Sequence, residues 1–273
     1  MECLGALSVS LGDAGDEPIF EPDPENPATW SRTRVTALFA DEMSVGAAAT
    51  NLRSFLPPQP PPKVVTCVLA DADWQAACKA DFKPMRFGKR LWICPTWHEV
   101  PENGGVIVRL DPGLAFGTGT HPTTALCLEW LDKRVSMETS VLDMGCGSGV
   151  LAIAALKLGA PRAWAVDNDP QARTACRDNA RANHVLDRLG VSTSPADEDL
   201  GADLVVANIL AGPLAEMAPL LAHCTHVGGG LALSGILEEQ AALVRDAYAP
   251  WFDFETDAQR GEWMLLTARR RPN

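Results

Sequence analysis

The chain has 273 residues, 47% apolar and 21% charged, enough to bury a core and too apolar for a disordered polymer. Its 23 basic against 35 acidic side chains give a net charge of −12, which argues against direct nucleic-acid binding and suits a basic partner such as a lysine-rich protein. The richest apolar run, Val150 to Leu158, is interrupted by Lys157, and no basic-then-apolar leader precedes Asp13, so neither a membrane span nor a secretory signal is expected and the cytoplasm is the predicted location.

Short alternating or β-branched segments lead the chain: Leu7 to Leu11, Arg34 to Ala40 and Lys63 to Leu69, with a helical stretch from Met43 to Phe55. They predict a small α+β module over residues 1–70. Pro57, Pro58, Pro60, Pro61 and Pro62 mark a stiff loop inside it. Residues 71–82 read as a linker helix, with Trp74, Cys78 and Phe82 at four-residue spacing on one face.

From residue 83 to 273 short apolar strands alternate with amphipathic helices. Strands are predicted at 140–143, 163–167, 203–208 and 230–234, and helices at 148–158, 170–183, 213–222 and 238–249. This order signals βαβ units and a parallel sheet with helices on both faces. The end differs, since 252–255 and 262–269 read as two strands joined hairpin-fashion through 257–261. The eight cysteines (Cys3, Cys67, Cys78, Cys94, Cys127, Cys146, Cys176 and Cys224) form no C-x-x-C pair and have no histidine at zinc-ligand spacing, so reduced thiols and no metal are expected.

The strongest chemical signal is Val141-Leu-Asp-Met-Gly145-Cys-Gly147-Ser-Gly149, a buried strand entering a glycine turn and then a helix. Glycines suit both the tight turn and close approach of a ligand to backbone N–H groups. The D-x-G-x-G-x-G spacing departs from the G-x-G-x-x-G that brings a helix dipole onto a pyrophosphate. The acidic Asp143 would repel such a group, whereas S-adenosylmethionine has no phosphate. Asp167 ends the next strand about twenty positions on, where a carboxylate accepts from ribose hydroxyls. Helix capping is its competing role, and Asp169, just before Pro170, is better placed for that.

Upstream, the glycine-rich stretch from Asp111 to Thr124 opens a helix through Leu131. It reads either as a lid, with the Thr124 hydroxyl or the helix N-terminus receiving the cofactor's carboxylate, or as an ordinary loop with a threonine cap. His121 within it is open between a structural hydrogen-bonder and a base. Asn208, at the end of a buried strand, either positions a nucleophilic amine toward a methyl group or closes the strand by an Asx turn.

These residues resemble the ribosomal protein L-eleven methyltransferases over about 16–270. The resemblance rests on 111–124, the Gly145 loop, Asp167-Asn-Asp-Pro170, Ala207-Asn-Ile-Leu-Ala-Gly-Pro213 and Leu233-Ser-Gly-Ile-Leu237. It implies a seven-stranded, doubly wound Rossmann-like methyltransferase sheet behind a ferredoxin-like substrate-recognition module. It also implies S-adenosylmethionine as cofactor, held by Thr124, Gly145, Asp167 and Asn208. The reaction implied is methyl transfer to lysine and N-terminal amino groups of ribosomal protein L-eleven, by a monomer. Against the family pattern, this chain begins near the end of the module's first helix, so the module's first strand is expected to be missing. Rival readings are a methyltransferase of the same fold with another substrate, a cofactor-binding assembly factor without turnover, and a nicotinamide dehydrogenase, which the glycine spacing and Asp143 disfavour.

Overall fold

The computed structural model describes residues 1–15, 30–55, 63–68, 82–99, 105–111, 119–195 and 201–272. The chain divides into two compact units, Met1–Trp74 and Gln75–Asn273. The proline loop, and the linker helix apart from Phe82, lie outside the described residues.

In the first unit β1 (Ser8–Asp13) and β2 (Thr33–Leu38) pair antiparallel, Leu11 opposite Val35. Helix α1 (Glu42–Phe55) follows, opened by Asp41, whose carboxylate accepts from the Ser44 N–H at 2.8 Å. The strand expected over 63–69 is not found: residues 63–68 have no regular structure and are exposed. A β-branched run alone does not make a strand, which needs a ladder partner.

The second unit opens with a small sheet that sequence patterning did not reveal: β3 (Met85–Phe87), β4 (Leu91–Cys94) and β5 (Val106–Arg109), in the order β3-β4-β5. Its strands are only three or four residues long, too short for an alternation to register. Helix α2 (Pro122–Arg134) ties to this sheet through Asp132, whose buried carboxylate accepts from the backbone N–H groups of Lys89 (2.7 Å) and Arg90 (3.2 Å).

The main sheet contains β6 (Val141–Met144), β7 (Ala163–Val166), β8 (Leu189–Ser192), β9 (Ala202–Asn208), β10 (Thr225–Leu237), β11 (Phe252–Phe254) and β13 (Trp263–Arg270). Their order is β11-β13-β10-β9-β6-β7-β8. Strands β6 to β10 run parallel and β13 antiparallel to β10, so the expected α/β architecture with a mostly parallel sheet is what forms. An eighth strand, β12 (Ala258–Arg260), sits within the expected connector and pairs with β13.

The parallel strands are apolar on both faces because helices cover both. Helices α2, α3 (Val150–Leu158) and α4 (Pro170–Ala182) bury one face with Val141, Leu204, Val206 and Ala232. On the other, α5 (Ala211–Glu216), α6 (Ala218–Cys224) and α7 (Ala241–Tyr248) meet Leu142, Val205, Leu231 and Leu233. The single helix expected over 213–222 is broken at Met217, because Pro219 lacks the N–H and would clash with a carbonyl one turn back. Strand β8, Leu-Gly-Val-Ser, was not foreseen: it is four residues long with a glycine inside it.

Candidate active site

A cavity of about 620 Å³ opens at the C-terminal ends of β6, β7 and β9, a size typical of a small-molecule site. The position is that of a ligand crevice in an open parallel sheet, since the chain leaves β6 toward β7 on one side and returns as β9 on the other. Among the described residues its wall includes Thr124, Gly145, Gly147, Asp167, Ser194 and Asn208, so all four residues singled out for cofactor contact line one space.

The glycine turn after β6 builds the floor. Gly145 has φ +72°, and a Cβ there would run into Ile209 Cγ2. Glycine is therefore required by both conformation and packing. The backbone N–H groups of Gly145 and Cys146 both donate to Val166 O, at 2.8 and 3.0 Å, fastening the loop to β7. Gly147 N–H donates to Asp167 Oδ2 at 2.9 Å, and Asp169 N–H donates to Asp167 Oδ1 at the same distance. Asp167 is thus oriented through both oxygens, each keeping acceptor capacity for a diol. Asp169 caps α4 by accepting from Gln171 N–H at 2.8 Å, which leaves Asp167 free of that duty.

Asp143 does not line the cavity. It faces the first turn of α3, where Oδ2 accepts from Ala152 N–H at 3.1 Å. Its Oδ1 is buried with no hydrogen-bond partner. Burial pushes this carboxyl up to about 7; the Ala152 bond opposes the rise and the Asp167 charge adds to it. Gly149 is also off the wall, pressed instead against Cys176 of α4. The seven described cysteines are free thiols, five of them buried. Among the described residues no cluster of ligands fit for a metal occurs.

Thr124 and Asn208 come from elements 84 positions apart yet meet: Asn208 Nδ2 donates to Thr124 Oγ1 at 3.2 Å. That bond commits the amide nitrogen and leaves Oδ1 as the acceptor. Residues 112–118 of the expected lid, including Phe116, lie outside the described residues. His121 is the N-cap of α2, accepting from Thr123 N–H at 3.4 Å and bonded through Nδ1 to Thr123 Oγ1 at 2.7 Å. It packs edge-on against Trp263, ring centroids 4.9 Å apart, and burial lowers its pKa. These contacts favour its structural role over a base.

Sequence reading passed over several wall residues. Ser194 follows the short β8, and Met144, Met217 and Leu220 carry no functional group that would set them apart from core side chains. Ile209 lay inside a quoted motif without a role; nothing short of the fold shows that its side chain covers Gly145.

A family model described as "Ribosomal protein L11 methyltransferase (PrmA)" matches residues 1–271. The chain belongs to that family. Curated relatives of the same name include those of Marinobacter nauticus, 48% identical over 272 residues, and Pseudomonas paraeruginosa, 51% identical over 269. Each alignment covers 98% of this chain and 91% of the relative. A crystal structure of a ribosomal protein L11 methylase from Lactobacillus delbrueckii subsp. bulgaricus superposes with a TM-score of 0.65 at 34% identity, over 70% of this chain and all of that one. This PrmA-family member therefore carries its glycine loop, Asp167 and the Thr124–Asn208 pair on a methyltransferase sheet. Among the described residues no helix is long and apolar enough to cross a membrane.

Proposed function

We propose that this chain transfers methyl groups from S-adenosylmethionine to lysine side-chain and N-terminal amino groups of ribosomal protein L11. The observation that carries this reading is the convergence of Gly145, Gly147, Asp167, Thr124 and Asn208 on one cavity of fitting size. The donor set suits a nucleoside sulfonium. Asp167 accepts from ribose hydroxyls, the glycine backbone lets the ligand approach, and the Thr124–Asn208 pair faces the reacting end. When bound, S-adenosylmethionine supplies an electrophilic methyl group on a positively charged sulfur.

The chain's own task is positioning. Asn208 Oδ1 accepts from the incoming amine and holds its lone pair toward the methyl carbon, while Thr124 fixes the amide's rotation. Lysine, with a reference pKa near 10.4, reacts only as the neutral amine. Ile209, Leu210, Pro213 and Met217 beside Asn208 form an apolar wall that disfavours the charged form. No dedicated base is invoked, in keeping with His121's engagement in a helix cap. The net charge of −12 supports a basic protein substrate over nucleic acid.

The test is transfer of labelled methyl from S-adenosylmethionine to purified ribosomal protein L11. Label in L11 is expected; its absence from L11 in enzyme that binds S-adenosylhomocysteine would redirect the search to other substrates.

A further inference from the structure

The segment Leu233-Ser-Gly-Ile-Leu237 has no part in the site as described above, yet its backbone is unusual at one point. Strand β10 pairs in register with β9 up to Ser234 opposite Asn208, and its register against β13 shifts between Ser234 and Ile236. The residue in the shift, Gly235, has φ +85°. A Cβ on it would overlap Ile209 O and lie 2.8 Å from Ile209 C and 3.1 Å from Ile209 N. Backbone atoms cannot yield as a side chain end can, so glycine there admits a peptide and nothing larger. Ser234 O also accepts from Ile209 N–H at 3.2 Å.

On its other side Ile209 is held by the cofactor loop, its Cγ2 filling the place a Gly145 Cβ would take. The residue after Asn208 is therefore clamped between two glycines, its peptide by Gly235 and its side chain by Gly145. Asn208, one bond away, is fixed at its own tip by Thr124. Ser234, the last residue in register before the bulge, is buried, and its hydroxyl donates to Met264 O at 2.9 Å, a further tie between β10 and β13.

We propose that Gly235, with Ile209, is a positioning element for methyl transfer: the bulge sets the Ile209 peptide so that the Asn208 amide meets Thr124 and presents Oδ1 to the substrate amine. This rests on the function proposed above and assigns a positioning role to Gly235, which is off the cavity wall, and to the peptide of Ile209, whose side chain also belongs to the apolar wall. A displacement of about 1 Å at a reacting group is enough to cost roughly a hundredfold in rate.

The test compares Gly235→Ala, Ile209→Ala and, as a control for lost stability alone, Val185→Ala in the core on the other face of the sheet, away from Ile209. Three readouts are needed: the Asn208 side-chain amide resonances, identified by their loss in Asn208→Ala; S-adenosylhomocysteine affinity by calorimetry; and turnover on L11 at saturating cofactor. For Gly235→Ala we expect moved Asn208 resonances, affinity within about threefold, and turnover lowered about tenfold to a hundredfold. Val185→Ala should leave resonances and turnover of the folded protein alone. Should Gly235→Ala fail to fold, Ile209→Ala decides, with moved resonances and about tenfold slower turnover that raising the pH does not restore, as it would if only the apolar wall around the amine were lost. Unmoved resonances, or moved resonances with full turnover, in a folded variant would overturn the proposal. If wild-type protein methylates no L11, the function fails on its own, and the resonances still judge the clamp.

Discussion

At Asp143, folding places a carboxyl where water cannot reach it and leaves one oxygen unbonded. Its folded pKa of about 7 stands above the ordinary carboxylate value near 3.9, so the folded state holds a proton that the unfolded state has released. Stability therefore falls as pH rises from about 4 to about 7 and is level above that, with a loss on the order of 4 kcal/mol as an upper figure. Urea unfolding of the cofactor-free protein should show it: the stability of Asp143→Asn relative to wild type rises across this window. A difference independent of pH would mean that Asp143 is ionised throughout. Asp167 is the contrasting carboxylate, partly exposed and held by two N–H donors. Asp167→Asn is expected to weaken S-adenosylhomocysteine binding by about tenfold to a hundredfold, the scale of one hydrogen bond to a charged group, with little change in melting temperature. Asn208→Ala should act chiefly on the reaction, weakening S-adenosylhomocysteine binding by no more than about fivefold, the scale of one neutral hydrogen bond, while turnover drops about a hundredfold, the scale set by a misplaced reacting group.

At the level of elements, α2 matters because its first turn delivers Thr124 to the cavity, and His121 caps that turn. A cap and a base are separable by substitution. Asparagine caps as well as any residue, whereas alanine forfeits about 1 kcal/mol. His121→Asn is expected to keep both melting temperature and turnover, and His121→Ala to lose stability alone; a collapse of turnover in both would restore the base. The break between α5 and α6 is hidden in a helical pattern that runs through Pro219, and β3, β4, β5 and β8, with three or four residues each, lack the readable helix close behind that marks the equally short β6 and β7. By contrast β6, α3, β7, α4 and β9 were legible to within a residue or two, each being a buried strand or a helix with a visible stop.

In the whole molecule, two apolar cores sandwich one sheet, and every described wall residue of the cavity belongs to the unit Gln75–Asn273. We expect a fragment of residues 83–273 to bind S-adenosylhomocysteine with an affinity within about threefold of the full chain, measured by calorimetry, since a unit with its own core folds alone. An affinity many-fold weaker would show that the first unit shapes the cofactor site.

Local chemistry determined much of this protein from the sequence alone. The apolar runs with glycine stops dictated a parallel sheet, and Gly145, Asp167 and Asn208 stand at strand ends because strand ends are where a buried run gives way to polar residues. Only the tertiary structure decided which of them share a space. That Thr124 bonds Asn208 across 84 positions, that Asp143 lies behind the cavity wall, and that Gly235 and Gly145 close on Ile209 all depend on strand order and register. Those are set by how two sheet faces bury their side chains at once, and no local pattern encodes them.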